Sequence, residues 1–453
     1  MTWPTVVKRF REVGVTQVQV KSLSKNHNNR NQISGLGTDL AALSHLFPGP
    51  VSLRSSTSKR AQEGSLIYHT SLPWIWLTYE GIAPAPETKL AYYPQHKELR
   101  LSGFLDSSPR SPRELLSFGT GPGQRGQEDG RWLIFGPGNH RQVYALIVSR
   151  YSPAASYLEQ FKDPRGKLVS MSIRADSASS KDVLFAELLR IHQKDWVSSY
   201  RLRRDGSTSV CSGTNCHGVT LESELGIIGN GRAAPDYLDW EVKGHKVAHL
   251  ERHLSSNITL LTPNPDGGKA YELGSDWLTR TYGKPAAGGN RWDLVGVHRH
   301  GQIHSSTGLV FGMSGFDANA REITGDGYLY LYDPRSDEQL GTWSFAKLLT
   351  HWQTKHAKTV FVPCIDNEII RKVDASLPKQ FSYGTKVHVG EGTDFLRFLA
   401  AVANQTVVLD PGLKSELMPN GRWQPKTRFQ FRSTLTKAAT LYRSFAKETV
   451  TTL

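Results

Sequence analysis

Pro235-Asp236-Tyr237-Leu238-Asp239-Trp240-Glu241-Val242-Lys243 reads as an acid followed by Glu-x-Lys on a strand. Trp240 and Val242 are strand-forming residues. Side chains alternate with period two, so Glu241 and Lys243 point to one face. Asp236 stands at the strand entrance, behind a proline. Two carboxylates and a lysine on a buried face are costly without partners. They suit a hard divalent cation, because Mg²⁺ takes one or two carboxylates together with waters and phosphate oxygens. A lysine beside them can orient or deprotonate a water next to a phosphate. This is the equipment of phosphodiester hydrolysis. The same pattern also arises by chance in basic proteins as a solvated strand face, so the surrounding sequence has to decide.

Upstream, residues 219–228 (VTLESELGII) read as a short amphipathic helix with Leu221, Leu225 and Ile228 on one face. Glu222 borders that face and could add a third carboxylate to the cluster. The plainer alternative is that Glu222 and Glu224 only solvate the helix.

The chain has 453 residues, 38% hydrophobic residues and a net charge of +14. That length predicts two or three domains with ordinary cores. A balance this basic points to nucleic acid or an anionic membrane surface. No apolar stretch reaches the roughly 20 residues that span a bilayer, and the first residues lack a signal-peptide core. Nucleic acid is therefore favoured over membrane, and a cytoplasmic setting is expected. Cys211, Cys216 and Cys364 predict a reducing compartment and no disulfide framework. Their spacing does not make a zinc knuckle with His217.

Residues 1–160 look β-rich. Strands are expected over 17–23, 65–69, 74–79, 90–93, 98–104, 132–135 and 142–149, with one helix over 39–47 and a loop at 119–123. Many short strands with one helix suggest a β-barrel-like module. A strand over 168–174 and a helix over 182–200 follow. Residues 215–453 alternate in α/β fashion. Strands are expected at 257–261, 308–313, 327–332, 358–363 and 406–409, and helices at 276–282, 344–355, 394–404 and 436–448. This predicts a mostly twisted sheet flanked by helices. Residues 1–60 carry nine Lys/Arg against Glu12 and Asp39, and residues 417–447 carry seven Lys/Arg and no acid. Two basic clusters in separate modules suggest two nucleic-acid surfaces, although either alone could be ordinary solvated surface.

At His217-Gly218-Val219-Thr220-Leu221-Glu222, then Pro235-Asp236, Glu241 and Lys243, the chain resembles the MvaI/BcnI family of restriction endonucleases. These are monomeric relatives of the mismatch-repair nickase MutH, with the PD-(D/E)xK nuclease fold. Weaker similarity runs through Thr262-Pro263-Asn264-Pro265 and Arg280-Thr281-Tyr282-Gly283-Lys284 to Phe431-Arg432. The N-terminal part is similar to the B3-like DNA-binding effector domain of EcoRII. The similar stretches are Val20-Lys21-Ser22-Leu23-Ser24, Leu46-Phe47-Pro48, and Ala91-Tyr92-Tyr93 leading to Glu98-Leu99-Arg100-Leu101.

The resemblance implies a multidomain chain. Residues 1–165 would be a B3-like effector domain, 166–180 a linker and 181–453 an α/β PD-(D/E)xK nuclease domain. It implies that Asp236 and Glu241 ligate Mg²⁺, that Lys243 positions the attacking water and that Glu222 is an accessory carboxylate. The family reads bases partly with a C-terminal Asp-x-Arg strand and a His-x-His-Gly…Phe-Arg segment. Asp410 fits the first, with Gly412 where the family has arginine. Arg428 and Gln430 stand where it has the histidine pair, ahead of Phe431-Arg432. Arg280, His298, His300 and Lys414 complete the DNA contacts expected of the nuclease domain. Those expected of the effector domain are Lys21, Lys25, Arg30, Lys97, Glu98 and Arg100. The substrate would be double-stranded DNA, two segments per monomeric chain, at a short CC/GG palindrome with a central A·T pair.

Other constellations compete. His298-Arg299-His300-Gly301-Gln302-Ile303-His304 could be a transition-metal site, with His298 and His300 on one strand face, a DNA contact, or a surface loop. Asp333-Pro334-Arg335-Ser336-Asp337 reads as a hairpin turn. Gly325-Asp326-Gly327 is followed by no Lys-Ser/Thr, so no phosphate loop and no ATP-driven translocase is expected. The rival to a nuclease is a non-catalytic DNA-binding regulator with an incidental Glu-x-Lys strand. The acid trio argues against it, because carboxylates near phosphates repel them.

Overall fold

The alternating run Gln17–Leu23 forms a strand, with Val18 and Val20 fully buried. The structure, a computed structural model, describes residues 1–25, 32–38, 40–56, 66–116, 128–173, 179–203, 205–228, 236–251, 257–367 and 378–451. Arg30, Pro235 and the 119–123 loop lie outside them. The chain divides into two units, Met1–Val183 and Leu184–Leu453.

In the first unit Gln17–Leu23 lies between Val169–Ser172 and Arg131–Pro137. The sheet continues through Val143–Val148, Trp74–Thr78 and Gly81–Ala85. Only the Trp74–Thr78 and Val143–Val148 pair is parallel. A second, antiparallel sheet runs Ser52–Ser55, Leu66–Ser71, Lys89–Tyr93, Glu98–Ser102. Neither sheet closes on itself among the described residues, so the expected barrel is two open sheets. Part of the expected linker, Val169–Ser172, is an edge strand of the first sheet. Helix Trp3–Glu12 was not anticipated from periodicity. Thr2 caps it and Val6 and Phe10 enter the core beside Val18, Val20, Trp132 and Ile134. The expected helix over 39–47 is a 3₁₀ turn, Leu40–Leu46, kinked at Leu43.

In the second unit the Glu-x-Lys run forms strand Glu241–Lys246, parallel to Lys358–Asp366. Lys358–Asp366 also pairs with Gln380–Tyr383 and Lys386–Glu391. Helix Ser180–His192 packs Leu188 and Ile191 onto this core with Val242, Val360 and Val362. The helix expected over 182–200 ends early. Asp195 turns with a left-handed φ of 58°, and Val197–Ser198 pairs with Gln380–Tyr383. The sheet is not one continuous surface. Asn257–Leu261, Phe429–Thr434 and Val408–Pro411 form a separate antiparallel sheet with Phe429–Thr434 central. Val310–Asp317, Glu322–Asp333 and Glu338–Ser344 form another, turned at residues 334–337 as the Asp-Pro signal predicts. The helix expected over 436–448 does not form. Leu435–Ala438 makes one turn, and Ser444–Thr449 then pairs with Lys386–Glu391. Pairing to an open sheet edge outweighs local helical propensity there.

Cys211 and Cys216 form a disulfide, contrary to the expected absence of one. The loop before helix Cys216–Glu224 folds back and brings the two Cα atoms to 5.7 Å. Cys364 is buried and free. A loop this short stabilises by about 2 kcal/mol in the chain-entropy picture. Reduction is therefore expected to lower Tm by roughly 5 °C, read by thermal unfolding with and without dithiothreitol. An unchanged Tm would show that the crosslink adds nothing.

Candidate active site

Residues 237–240 form a tight turn. Tyr237 and Trp240 exchange backbone hydrogen bonds at 2.9 Å, and Leu238 takes a left-handed φ of 56°. The turn folds Asp236 back onto the strand, where its Oδ2 accepts from Val242 N at 3.1 Å. Glu241 is 1% exposed, and its Oε1 accepts from Lys243 Nζ at 2.5 Å. The pleat accounts for this pairing, since positions 241 and 243 share a face. Behind them, Glu241 is in register with Thr359, whose Oγ1 accepts from the Tyr442 hydroxyl at 3.0 Å. Burial pushes the Tyr442 phenol up, and the nearby Glu241 charge adds to it.

Helix Cys216–Glu224 lies against this strand. A Cβ at Gly244 would stand 3.3 Å from Gly218 Cα and 3.4 Å from Leu221 Cδ2, so helix and strand meet almost at backbone contact. The two acids of the helix part company. Glu224 takes Lys194 at 2.7 Å and the Tyr200 hydroxyl at 3.0 Å, which anchors the helix. Glu222 instead lines a cavity of about 600 Å³, together with Lys243 and His245. Thr259, Arg428, Gln430 and Arg432 line the same cavity. Asp236 and Glu241 are not in its lining; Glu241 is joined to it through Lys243.

Residues 185–442, more than half of the chain, match the MvaI/BcnI restriction endonuclease family. The chain belongs to this family. It is a type II site-specific DNA endonuclease, and its C-terminal unit carries the family's nuclease fold. The non-catalytic regulator is thereby set aside. Solved structures similar to it include two of MvaI. One is the restriction endonuclease MvaI in complex with a cognate DNA substrate, with 16% identity and a TM-score of 0.45 over 61% of this chain and 100% of that one. The other is MvaI in the absence of DNA, with 15% identity and a TM-score of 0.32 over 60% of this chain and 99% of that one. No curated protein matches the chain.

In this MvaI/BcnI family member, several expected DNA contacts lie away from the cavity. His298 is fully buried. Its Nδ1 bonds to Gly296 O at 2.8 Å, its Nε2 to Thr307 Oγ1 at 2.9 Å, and its ring stacks on His304. Burial, then the charge of His304, pushes its pKa down to about 4. It is a core histidine, which removes it as a DNA contact and removes the His298–His300 metal pair. His300 is half-buried in a backbone bridge to Phe311. Arg280 is exposed over the Trp423 ring and pairs with Asp276. Lys414 lies on strand Leu413–Leu417, opposite Asp293 and Lys426. Asp410 reaches the cavity wall through an ion pair to Arg432 at 2.6 Å. His245, Asn257 and Thr259, which no motif marks, also line the cavity. The signal was present, since 243 and 245, and 257 and 259, share faces at period two.

Restriction endonucleases of this kind generally use a divalent metal, typically Mg²⁺. The donor set suits a hard cation, with two carboxylates at the mouth of one strand and a third on the adjoining helix. Among the described residues no group of three His, Cys, Asp or Glu is gathered to hold an ion by itself.

The first unit has its own cavity of about 630 Å³, lined by Lys21, Lys25, Glu98, Arg100, Arg131 and Lys162 among others. Four of the expected effector residues are therefore neighbours. Lys21 is corrected in role. It is 7% exposed and its ammonium donates to the carbonyls of Gly166 and Gly35, bracing loops rather than facing solvent. Burial lowers its pKa, against the pull of Glu98 and Asp163. Arg100 pairs with Glu98 at 2.6 Å and lies over the Tyr93 ring. Lys25 is exposed, and so is Lys97 at a left-handed turn.

Proposed function

We propose that the chain is a Mg²⁺-dependent type IIE restriction enzyme whose N-terminal unit is a DNA-binding effector. Its layout is similar to that of UbaLAI, an EcoRII-like B3 effector joined to an MvaI-like nuclease. The observation that carries the catalytic part is that Glu222 and Lys243 line the same cavity as Arg428, Gln430 and Arg432. Groups suited to hydrolysis and side chains suited to guanine and adenine edges then border one space.

Asp236 and Glu241 would hold the Mg²⁺, with Glu222 accessory. When bound, the ion supplies Lewis acidity to a phosphate oxygen and acidity to a water. Lys243 orients the attacking water and takes part in its deprotonation. Arg428, Gln430 and Arg432 hold the duplex in register. The substrate proposed is a short CC/GG palindrome with a central A·T pair, cut by a monomer. The N-terminal cavity, rimmed by Lys25, Lys162 and the Arg100–Glu98 pair, would take the second DNA segment.

Plasmid incubated with the purified protein is expected to give discrete fragments with Mg²⁺ and none with EDTA. DNA carrying two target sites is expected to be cut about tenfold faster than one-site DNA by the full chain, through raised local concentration. The C-terminal fragment from about residue 180 alone is expected to cut both at one rate. Equal rates in all four combinations would remove the effector reading. Cleavage unaffected by EDTA would remove the metal reading.

A further inference from the structure

Tyr442 is buried among aromatic rings, with centroid distances of 6.3 Å to Phe361 and 5.9 Å to Phe445. A phenylalanine would fill this setting without a polar atom to satisfy, so the hydroxyl calls for a role. The sheet register shows which way it reaches. Glu241 pairs with Thr359, Thr359 with Gly390, and Gly390 with Phe445, a row across four strands. Register partners share a sheet face. At Gly390 that face carries no side chain, and a Cβ there would stand 2.8 Å from the Tyr442 ring. The ring therefore lies over Gly390, one strand away from Thr359. Its hydroxyl donates to Thr359 Oγ1 at 3.0 Å. Thr359 is fully buried too. Its hydroxyl accepts from Tyr442, which leaves its own proton to give. The neighbour on its other side is the buried carboxylate of Glu241.

We infer that Tyr442 and Thr359 are positioning residues, a relay of two hydroxyls that holds the Glu241 carboxylate in one orientation together with the Lys243 ammonium. A carboxylate has several acceptor sites, and the bond to Lys243 Nζ occupies only one of its oxygens. A donor on the neighbouring strand fixes the plane of the group before any ion arrives. Such a preset ligand favours a small cation that demands near-ideal geometry. Hydrogen-bond partners of metal-binding carboxylates tune affinity in this way. Neither hydroxyl residue lines the cavity. Tyr442 acts through Thr359, and Thr359 acts through Glu241.

This assignment rests on the proposed role of Glu241 as a metal ligand. Its test is titration of the full chain with Mn²⁺, a paramagnetic stand-in for Mg²⁺, read by electron paramagnetic resonance. Thermal unfolding and the Mg²⁺ dependence of single-turnover cleavage are measured beside it. Thr359→Val and Tyr442→Phe are each expected to raise the Kd for Mn²⁺ about tenfold. The Mg²⁺ concentration that half-saturates cleavage is expected to rise by a similar factor. Thr359→Ser, which keeps the hydroxyl, is expected to bind like wild type. The Thr359→Val/Tyr442→Phe double variant is expected to bind no more weakly than the weaker single, because the two act in series. Thr359→Val alone strands the Tyr442 hydroxyl, so its Tm is expected to lie below that of the double variant. Unchanged Mn²⁺ affinity in both folded single variants, or losses that multiply in the double, would overturn the relay. Weakened binding that Thr359→Ser shares would reduce the pair to packing and overturn it as well. Glu241→Gln binding Mn²⁺ like wild type would instead overturn the metal reading of Glu241, and this assignment with it.

Discussion

Asp236→Asn and Glu241→Gln are expected to lower cleavage by about 10³-fold or more while leaving binding to target DNA nearly unchanged. Loss of a metal's charge stabilisation amounts to several kcal/mol in the transition state. Neither change touches the basic wall of the cavity. The amide variants are chosen for reasons visible in the structure. Asp236 Oδ2 accepts from Val242 N, and an asparagine oxygen can keep that bond while removing the charge. Glu241 is 1% exposed, and glutamine keeps its volume. Binding is measured in Ca²⁺, which is larger and looser in geometry than Mg²⁺ and is expected to support binding with little cleavage. Either variant cutting near the wild-type rate in Mg²⁺ would place the metal elsewhere.

Lys243→Ala is expected to lose about 10²–10⁴-fold in cleavage, the usual worth of a positioned proton-transfer group. Lys243→Arg is expected to recover little, because the guanidinium is broader and keeps its proton. The Lys243–Glu241 contact at 2.5 Å adds a second effect. Glu241 is almost fully buried, and removing the Lys243 ammonium takes away one group that offsets its charge, so stability is expected to fall as well. The two effects separate by measurement. Thermal unfolding reports the lost pair, and single-turnover cleavage below the lowered Tm reports the lost chemistry. A folded Lys243→Arg protein with full activity would leave Lys243 as a phosphate contact only.

The strand carrying Glu241 and Lys243 was legible because its signal is local: period two, a proline and a change of charge. So were the helices over 344–355 and 394–404, which form as Phe345–Lys355 and Phe395–Ala403 with Ser344 and Asp394 as caps. What escaped was non-local. Nothing near Asp410 in sequence indicates that Arg432, 22 residues away, is its partner; that depends on the register of two strands. His298 stands in a polar run that reads as surface, yet its backbone bridges to Leu409 and draws the ring into the core. The 436–448 segment has helical composition and is taken by a sheet edge. Cys211 and Cys216 looked like isolated thiols because the fold of the loop between them is not written in their spacing. For the candidate site, motif and resemblance point to Glu222, Lys243, Arg428, Gln430 and Arg432, which line one cavity; the structure adds His245, Asn257 and Thr259 to it.

The meeting of Gly218 and Gly244 has a consequence for how such an enzyme can change over time. Between most helices and strands, side chains act as compressible spacers, and a substitution on one side can be absorbed by one on the other. Here the spacer is missing, with Gly218 Cα only 3.3 Å from where a Cβ at position 244 would stand. The interval between the wall bearing Glu222 and the one bearing Lys243 is thus set by main chain, which drifts little. On the proposed reading, residues of Phe429–Thr434 could be exchanged one at a time toward new target sequences, whereas the interval between Glu222 and Lys243 is held by the backbone.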